Sequence, residues 1–475
     1  MTSLLTPPLA KARRVVVCRS DACPGDSRQV ARPRNVPLRR SFIFAAIGQG
    51  VYALSQWGTL AGLAKLGTPE TVGYFALTIS LTAPVVELTG LQLHVAQATD
   101  AKGEYRLGEY LRLRTLSGVL AVAVVFGIML VGARPTWFMA ATLAMCLAKV
   151  IEGLSLICHG RFQREERLDW VARSQVLRGL LSFAGVCGVF YMTRSLVLAS
   201  VCCAILWGFV YFVHDLPVAQ ASEARFRTGK SAARSPGLLS LARTSAPLGL
   251  AVGLNTLSAN IPRYFVDAYF GPRELGIFAA LSYVGIAARL FYLPLIHTIL
   301  PRLALLAKEA RWQAFRHLLA KALLFAVGSS LGLLVLLAFA GRFFLSVIYT
   351  PAYAEHSGLL LILAGGVLLH FVAAVAIAAL QGCRRFTQVM STYACGNLVL
   401  VIALPVAISV GGLNGAAVAT IFGALGELLT ALFWISRLPR KNTAIAFTEG
   451  QICPSGSALR QGSGEGISSA ASTGY

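Results

Sequence analysis

The chain predicts an all-α integral membrane protein of about twelve transmembrane helices, arranged as two six-helix lobes related by a parallel repeat. Three observations predict it. Of 475 residues, 56% are hydrophobic and only 13% charged, about half the charge of a soluble domain, so most of the surface faces lipid. Apolar runs close to the roughly 20 residues that cross a bilayer recur along the chain. The basic residues then alternate between two sides in step with those runs.

The runs fall, in order, at 41–66, 72–91, 115–131, 137–157, 175–190, 195–213, 246–264, 275–297, 319–340, 359–380, 389–410 and 413–435. The third and fifth are short for a span, which leaves eleven as the alternative count. With the N-terminus inside, segments 1–40, 92–114, 158–178, 214–245, 301–321, 381–388 and 437–475 all face the cytoplasm. These hold 34 of the 42 Lys and Arg. The outer turns hold only Lys65, Arg134, Arg194, Arg263, Arg273 and Arg342. This is the positive-inside asymmetry, and removing one span would scramble it. The net charge of +22 is therefore a topology signal, and no nucleic-acid partner is expected.

The organisation that follows is a basic, disordered cytoplasmic tail (1–40), an N-lobe (41–216), a cytoplasmic connector (217–245), a C-lobe (246–436) and a Gly/Ser-rich disordered tail (437–475). The first forty residues lack the continuous apolar core of a signal peptide. The ten cysteines lie mostly in or beside apolar runs and read as small helix fillers. No Walker-type loop and no His/Cys metal cluster is present in the sequence, so no cofactor, no metal and no direct ATP hydrolysis are expected.

An internal repeat supports the two halves. Gly67-Thr-Pro-Glu-Thr-Val-Gly73-Tyr-Phe75 follows the first run, and Gly271-Pro-Arg-Glu-Leu-Gly276-Ile-Phe278 follows the seventh. Gly160-Arg161-Phe162 after the fourth run is echoed by Gly382-Cys-Arg-Arg385-Phe386 after the tenth. Because six spans separate the copies, both halves enter the membrane from the same side, and the repeat axis lies along the membrane normal. Two such bundles suit alternating access about a central site.

Ionisable residues inside the bilayer are functional candidates, because each costs ~2.5–3.5 kcal/mol to insert. At 1.5 Å per residue, Glu87, Lys149, Glu152, Arg289 and Glu427 all fall roughly 18–22 Å from the outer ends of their spans, and His370 about 16 Å. Lys149 and Arg289 supply a point charge and a bidentate fork suited to an anionic headgroup. Glu87, Glu152 and Glu427 are candidate ion-coupling acids. Two plainer readings stay open: Lys149 and Glu152, three residues apart on one helix, neutralise each other, and Arg289 snorkels to the headgroups. The seventh run carries Asn255, Asn260 and Pro262, with Arg263 and Asp267 nearby, and reads as a helix break beside paired charges, a candidate gate or a packing kink. Gln49 and Gln56, two turns apart on one face of the first run, are candidates for sugar hydroxyls or for interhelical bonds.

The segment Asn260-Ile-Pro-Arg-Tyr-Phe-Val-Asp-Ala-Tyr-Phe-Gly-Pro-Arg-Glu-Leu-Gly-Ile-Phe-Ala-Ala-Leu281 resembles the seventh-to-eighth helix region of Wzx-like oligosaccharide (polysaccharide biosynthesis) flippases. These belong to the multidrug/oligosaccharidyl-lipid/polysaccharide (MOP) exporter superfamily. Lys149-Val-Ile-Glu152 with Gly160-Arg-Phe-Gln163, and Ile348-Tyr349 with Tyr353-Ala354, are similar to further family segments. The likeness runs over about residues 41–437. It implies a MATE-like V of two lobes, a cationic cavity to which Lys149, Arg289 and Arg263 contribute, and export of undecaprenyl-pyrophosphate-linked oligosaccharide coupled to an ion gradient.

The expected function is thus a non-enzymatic flippase of a bacterial inner membrane, with both termini cytoplasmic. It would serve O-antigen, capsule or exopolysaccharide synthesis. Its partners would be the lipid-linked oligosaccharide, membrane lipids, and the polysaccharide polymerase and chain-length or export machinery. A cation-coupled multidrug exporter of the same superfamily is the alternative. A membrane sugar polymerase or ligase fits less well, since no outer loop reaches ~20 residues and such enzymes commonly carry a sizeable outer catalytic segment.

Overall fold

The computed structural model describes residues 38–100, 104–132, 134–226, 237–349, 353 and 355–438. The expected tails fall almost wholly outside these residues, as does part of the expected connector. Among the described residues every regular element is a helix and there is no strand. In order they are α1 (Leu38–Leu66), α2 (Pro69–Thr89), α3 (Leu93–Thr99), α4 (Leu107–Val131), α5 (Thr136–Arg164), α6 (Leu168–Thr193) and α7 (Leu196–Val210). A π-helical turn, Tyr211–Asp215, joins α7 to α8 (Leu216–Phe226). There follow α9 (Leu238–Ser282), α10 (Val284–Lys308), α11 (Trp312–Ile348), α12 (Ser357–Gly382) and α13 (Phe386–Ser436).

The expected spans fall on helical segments, except that 275–297 is divided between α9 and α10 at Tyr283 and 195–213 runs from α7 into the π-helical turn. Eight of the described helices are long and apolar enough to cross a membrane; one of these, α13, is two helices joined at a turn, and so is α9, which is not among the eight. Helix α13 has 51 residues, about 76 Å at 1.5 Å per residue and more than twice the hydrocarbon thickness. It reverses at Gly412 (φ 57°, ψ −133°), so Gly415 lies against the Ala407 carbonyl and Gly426 against Val399. Helix α9 likewise turns back at Gly271 (φ 81°, ψ −177°). Both glycines occupy backbone conformations that a side chain disfavours.

Local chemistry sets the other ends. Thr68 caps α2, its side chain accepting the Thr71 N–H, with Pro69 at the first helical position, where a missing N–H costs nothing. Ser195 caps α7 in the same way through Leu198 N–H. The helices overrun the apolar runs mostly at their basic ends: α4 starts at Leu107 and α6 at Leu168, because long basic side chains let a helix continue into the headgroup layer. Large apolar side chains such as Val131, Leu324, Phe339 and Val410 are exposed around the bundle, as a lipid-facing surface requires.

The sequence repeat is a structural joint. A Cβ on Gly73 would lie 1.7 Å from the Pro272 carbonyl oxygen, and one on Gly276 would lie 1.8 Å from that of Pro69. The two copies thus cross reciprocally, each glycine admitting the other copy's backbone. The second echo behaves alike: Gly160 packs on His94, just after α2, and Gly382 packs on Leu303 and Ala304 near the end of α10. Helix α1 pairs with α6 through Gly48–Ala172 and Gly179–Tyr52 contacts. The first limb of α9 pairs with that of α13, where Asn397 Nδ2 donates to the Leu254 carbonyl at 3.0 Å. Matching pairs in the two halves are the signature of a parallel repeat.

One expectation needs correction. Pro262 does not break its helix; α9 runs through it to Gly271, since a transmembrane helix can resatisfy the one carbonyl that proline frees. Nor do Arg263 and Asp267 pair with each other: Asp267 takes Arg134, while Arg263 turns to Ser80 and Asn260.

Candidate functional site

The densest cluster of buried charge lies in the first half and grows from α5. Lys149 and Glu152 share one face of that helix and form an ion pair at 2.9 Å, with side chains 21% and 16% exposed. Tyr52 of α1 donates its hydroxyl to Glu152. Arg178 of α6 places Nη1 4.0 Å from the same carboxylate, and its Nη2 reaches Asp215 at 3.0 Å. Asp215 closes the π-helical turn and is fully buried; a π turn inserts one residue into the helical ladder and re-aims the side chains around it. His214 Nδ1 lies 2.9 Å from Asp215, and His159 shares a 2.9 Å hydrogen bond with Ser174. Trp207 of α7 lies beneath both cations, with Lys149 Nζ 5.0 Å and Arg178 Cζ 5.8 Å from its ring centre, within cation–π reach.

Beside this cluster opens a small cavity, whose wall includes Gln56, Thr59, Phe75, Lys149, Ser182 and Trp207. A second small cavity is lined by Glu87, Gln92, His94 and Arg114 among others. There Glu87 accepts from Gln92 at 2.7 Å, Arg114 donates to the Val86 carbonyl at 3.3 Å, and the guanidinium is wedged against Gly90 and Gly153. His94, on α3 outside the spans, has its imidazole pulled down to about 4 by burial, with Arg114 acting in the same direction; it is neutral at physiological pH.

The second half holds a separate site. Glu427 is 3% exposed at its side chain and lies 2.7 Å from His370 Nδ1. Ser258 donates to its other oxygen at 3.2 Å and lies 2.5 Å from Asn397. Between the halves, Arg263 Nη1 reaches Ser80 at 3.3 Å and Asn260 at 3.2 Å, with the Tyr283 ring centre 6.0 Å away. Asn260 also donates to the Thr256 carbonyl of its own helix at 2.7 Å, and Asn255 is half-buried.

The candidate residues therefore divide. Lys149, Glu152 and Gln56 come together; Glu427 and His370 come together elsewhere. Glu87 has its own cavity, within electrostatic reach of Lys149 and Glu152. Gln49 is exposed and accepts from Gln175 at 2.9 Å. The side chain of Arg289 lies outside the described residues. The sequence reading missed Tyr52, Trp207, Arg114, Arg178 and Asp215. It assigned Arg114 and Arg178 to cytoplasmic segments, whereas they are 6% and 2% exposed on α4 and α6.

No family model matches the chain. It is 23% identical over 330 residues to the capsular polysaccharide biosynthesis protein CapF of Staphylococcus aureus, covering 69% of this chain and 82% of that one. Among solved structures, an inward-facing multidrug resistance MATE family transporter of the MOP superfamily aligns with a TM-score of 0.66 and 13% identity, over 84% of this chain and 98% of that one. The lipid II flippase MurJ, in an inward closed conformation, aligns with a TM-score of 0.65 and 14% identity, over 84% and 89%. The chain is a multi-pass membrane protein with the fold of MOP-superfamily transporters.

Proposed function

We propose that the chain is a flippase that moves a polyprenyl-pyrophosphate-linked oligosaccharide across a bacterial inner membrane for surface polysaccharide synthesis, by alternating access between an N-lobe (41–216) and a C-lobe (246–436). The observation that carries the reading is the convergence of Lys149, Arg178 and Tyr52 beside a cavity that also presents Gln56, Thr59 and Ser182. Cations and a hydroxyl suit a pyrophosphate; amide and hydroxyl groups suit sugar hydroxyls. Arg263 and Arg289 would add positive charge from the C-lobe. Glu427 with His370, or Glu87, would bind the coupling ion. Gln49, Asn255, Asn260 and Pro262 remain candidates for gate or sugar contacts.

The Arg-rich end would face the cytoplasm together with both termini. The end carrying the short turns would face outward, and there the halves are tied together. Trp57 Nε1 donates to the Tyr349 hydroxyl at 3.1 Å, which donates to the Ala280 carbonyl at 3.0 Å. Lys65 donates to the Val347 carbonyl at 2.9 Å, and Arg134 meets Asp267. This describes a carrier shut to the outside. The sequence similarity to a capsular polysaccharide protein supports a lipid-linked sugar over a drug as cargo, and the polymerase would act on the product in the outer leaflet.

Deleting the gene tests the reading. Lipid-linked oligosaccharide should accumulate in the cytoplasmic leaflet, and Lys149→Ala, at a normal level in the membrane, should restore surface polysaccharide at least about tenfold less well than the wild type, the loss expected for one charge-assisted phosphate contact. Full polymer in that variant would refute the cavity assignment. Altered resistance to cationic dyes with intact polysaccharide would point instead to the multidrug reading.

A further inference from the structure

The carboxylate of Glu152 stands where, on the proposed function, an anionic headgroup has to bind. It takes the Lys149 ammonium at 2.9 Å and the Tyr52 hydroxyl, with the Arg178 guanidinium 4.0 Å away. The donors around it exceed what it uses. The buried indole N–H of Trp207 and the Nε–H of Arg178 have no acceptor. A carboxylate offers two oxygens and one charge; a pyrophosphate offers more of both.

The two cations of the cluster are not equivalent. Arg178 is already matched by Asp215 at 3.0 Å, whereas the ion-pair partner of Lys149 among the described residues is Glu152. Other groups near Glu152 are Cys203 on α7 and, farther off, Glu87 on α2 and Arg114 on α4. Occupancy of Lys149 therefore turns on this one carboxylate, three residues along the same helix.

We infer that Glu152 is a built-in stand-in for the substrate's phosphate: it neutralises Lys149 while the transporter is empty and yields Lys149 to the lipid pyrophosphate when substrate enters. The inference rests on the proposed function. Its physical basis is that an alternating carrier passes through a closed state twice per cycle, once loaded and once empty. On the empty pass an unpaired ammonium would be shut into a desolvated cavity at severe cost. A carboxylate on the same helix removes that cost without bringing the lobes' other charges into play. The same carboxylate competes with the phosphate, which weakens binding and keeps the cargo from being trapped.

The test uses the full chain in detergent, with undecaprenyl pyrophosphate as the probe and undecaprenol as the uncharged control. Glu152→Gln should bind the pyrophosphate at least about tenfold more tightly than the wild type, as expected when a close competing charge is removed, with no change for undecaprenol. Adding Lys149→Gln to that variant should abolish the gain. In cells, Glu152→Gln should make less surface polysaccharide despite its tighter binding, because the empty carrier stalls. Glu152→Ala, which also removes the competing charge and leaves every proposed phosphate donor in place, should give a comparable gain and serves if Glu152→Gln does not fold. Unchanged or weaker pyrophosphate binding by folded Glu152→Gln, with wild-type binding that depends on Lys149, overturns the stand-in role alone. Equal binding of pyrophosphate and undecaprenol by every form overturns the proposed function, and the stand-in role with it.

Discussion

Arg178 and Asp215, with side chains 2% and 0% exposed and 3.0 Å apart, form the most deeply buried ion pair in the described residues. Removing one member strands the other in a low-dielectric interior, at a cost of ~3–5 kcal/mol. Asp215→Asn should therefore lower the thermal unfolding temperature in detergent sharply. The double change Arg178→Leu with Asp215→Leu should lower it less than Asp215→Asn does, because it leaves no charge behind. Equal losses would show that the pair is solvated. Lys149 and Glu152 were legible as a pair because both interrupt an apolar run at helical spacing. Arg178 and Asp215 were not, since each ends a run, where counting charges by side reads them as loop residues. A finer sign was present: Ser174, Arg178 and Ser182 recur every four residues, and Tyr52 lies on the Gln49–Gln56 face.

Among the elements, the crossing of α2 with the second limb of α9 is the tightest joint between the halves. A methyl group on Gly73 or Gly276 would fall within 1.8 Å of a carbonyl oxygen, so backbone must move rather than a side chain. Gly73→Ala and Gly276→Ala should each spread the joint and cost about 1–3 kcal/mol. Cysteines at Glu70 and Arg273, the exposed positions flanking it, should cross-link less efficiently in either variant than in the parent. An undiminished yield would mean that the joint does not govern the spacing. The joint was visible in the sequence as a repeat, but its reciprocity was not: a Gly-Pro turn marks where chains bend, and only the packed halves reveal that each glycine receives the other's carbonyl. The reversals at Gly271 and Gly412 fell where apolar runs met. The uninterrupted passage of α9 through Pro262 could not be read from the chain, because it depends on what the neighbouring helices supply.

For the whole molecule, the proposed function poses one physical problem. A pyrophosphate cannot cross hydrocarbon alone, and cations placed to receive it cannot stand unpaired there either. On the proposed function the first half would meet both demands by setting Lys149 and Arg178 against Glu152 and Asp215, while the second keeps Glu427 against His370, a separate site proposed for the coupling ion. The ties between Trp57 and Tyr349, Lys65 and Val347, and Arg134 and Asp267 hold one end of the bundle shut. The central claim is that Lys149 and its neighbours carry a pyrophosphate headgroup from one leaflet to the other. It is tested most directly by reconstituting the purified chain in vesicles with a fluorescent polyprenyl-pyrophosphate-linked sugar and measuring the fraction that becomes accessible in the opposite leaflet. The account predicts transfer by the wild-type chain, and transfer no faster than empty vesicles by Lys149→Ala reconstituted to the same density. Equal transfer by the two proteins, or none by either, would contradict it.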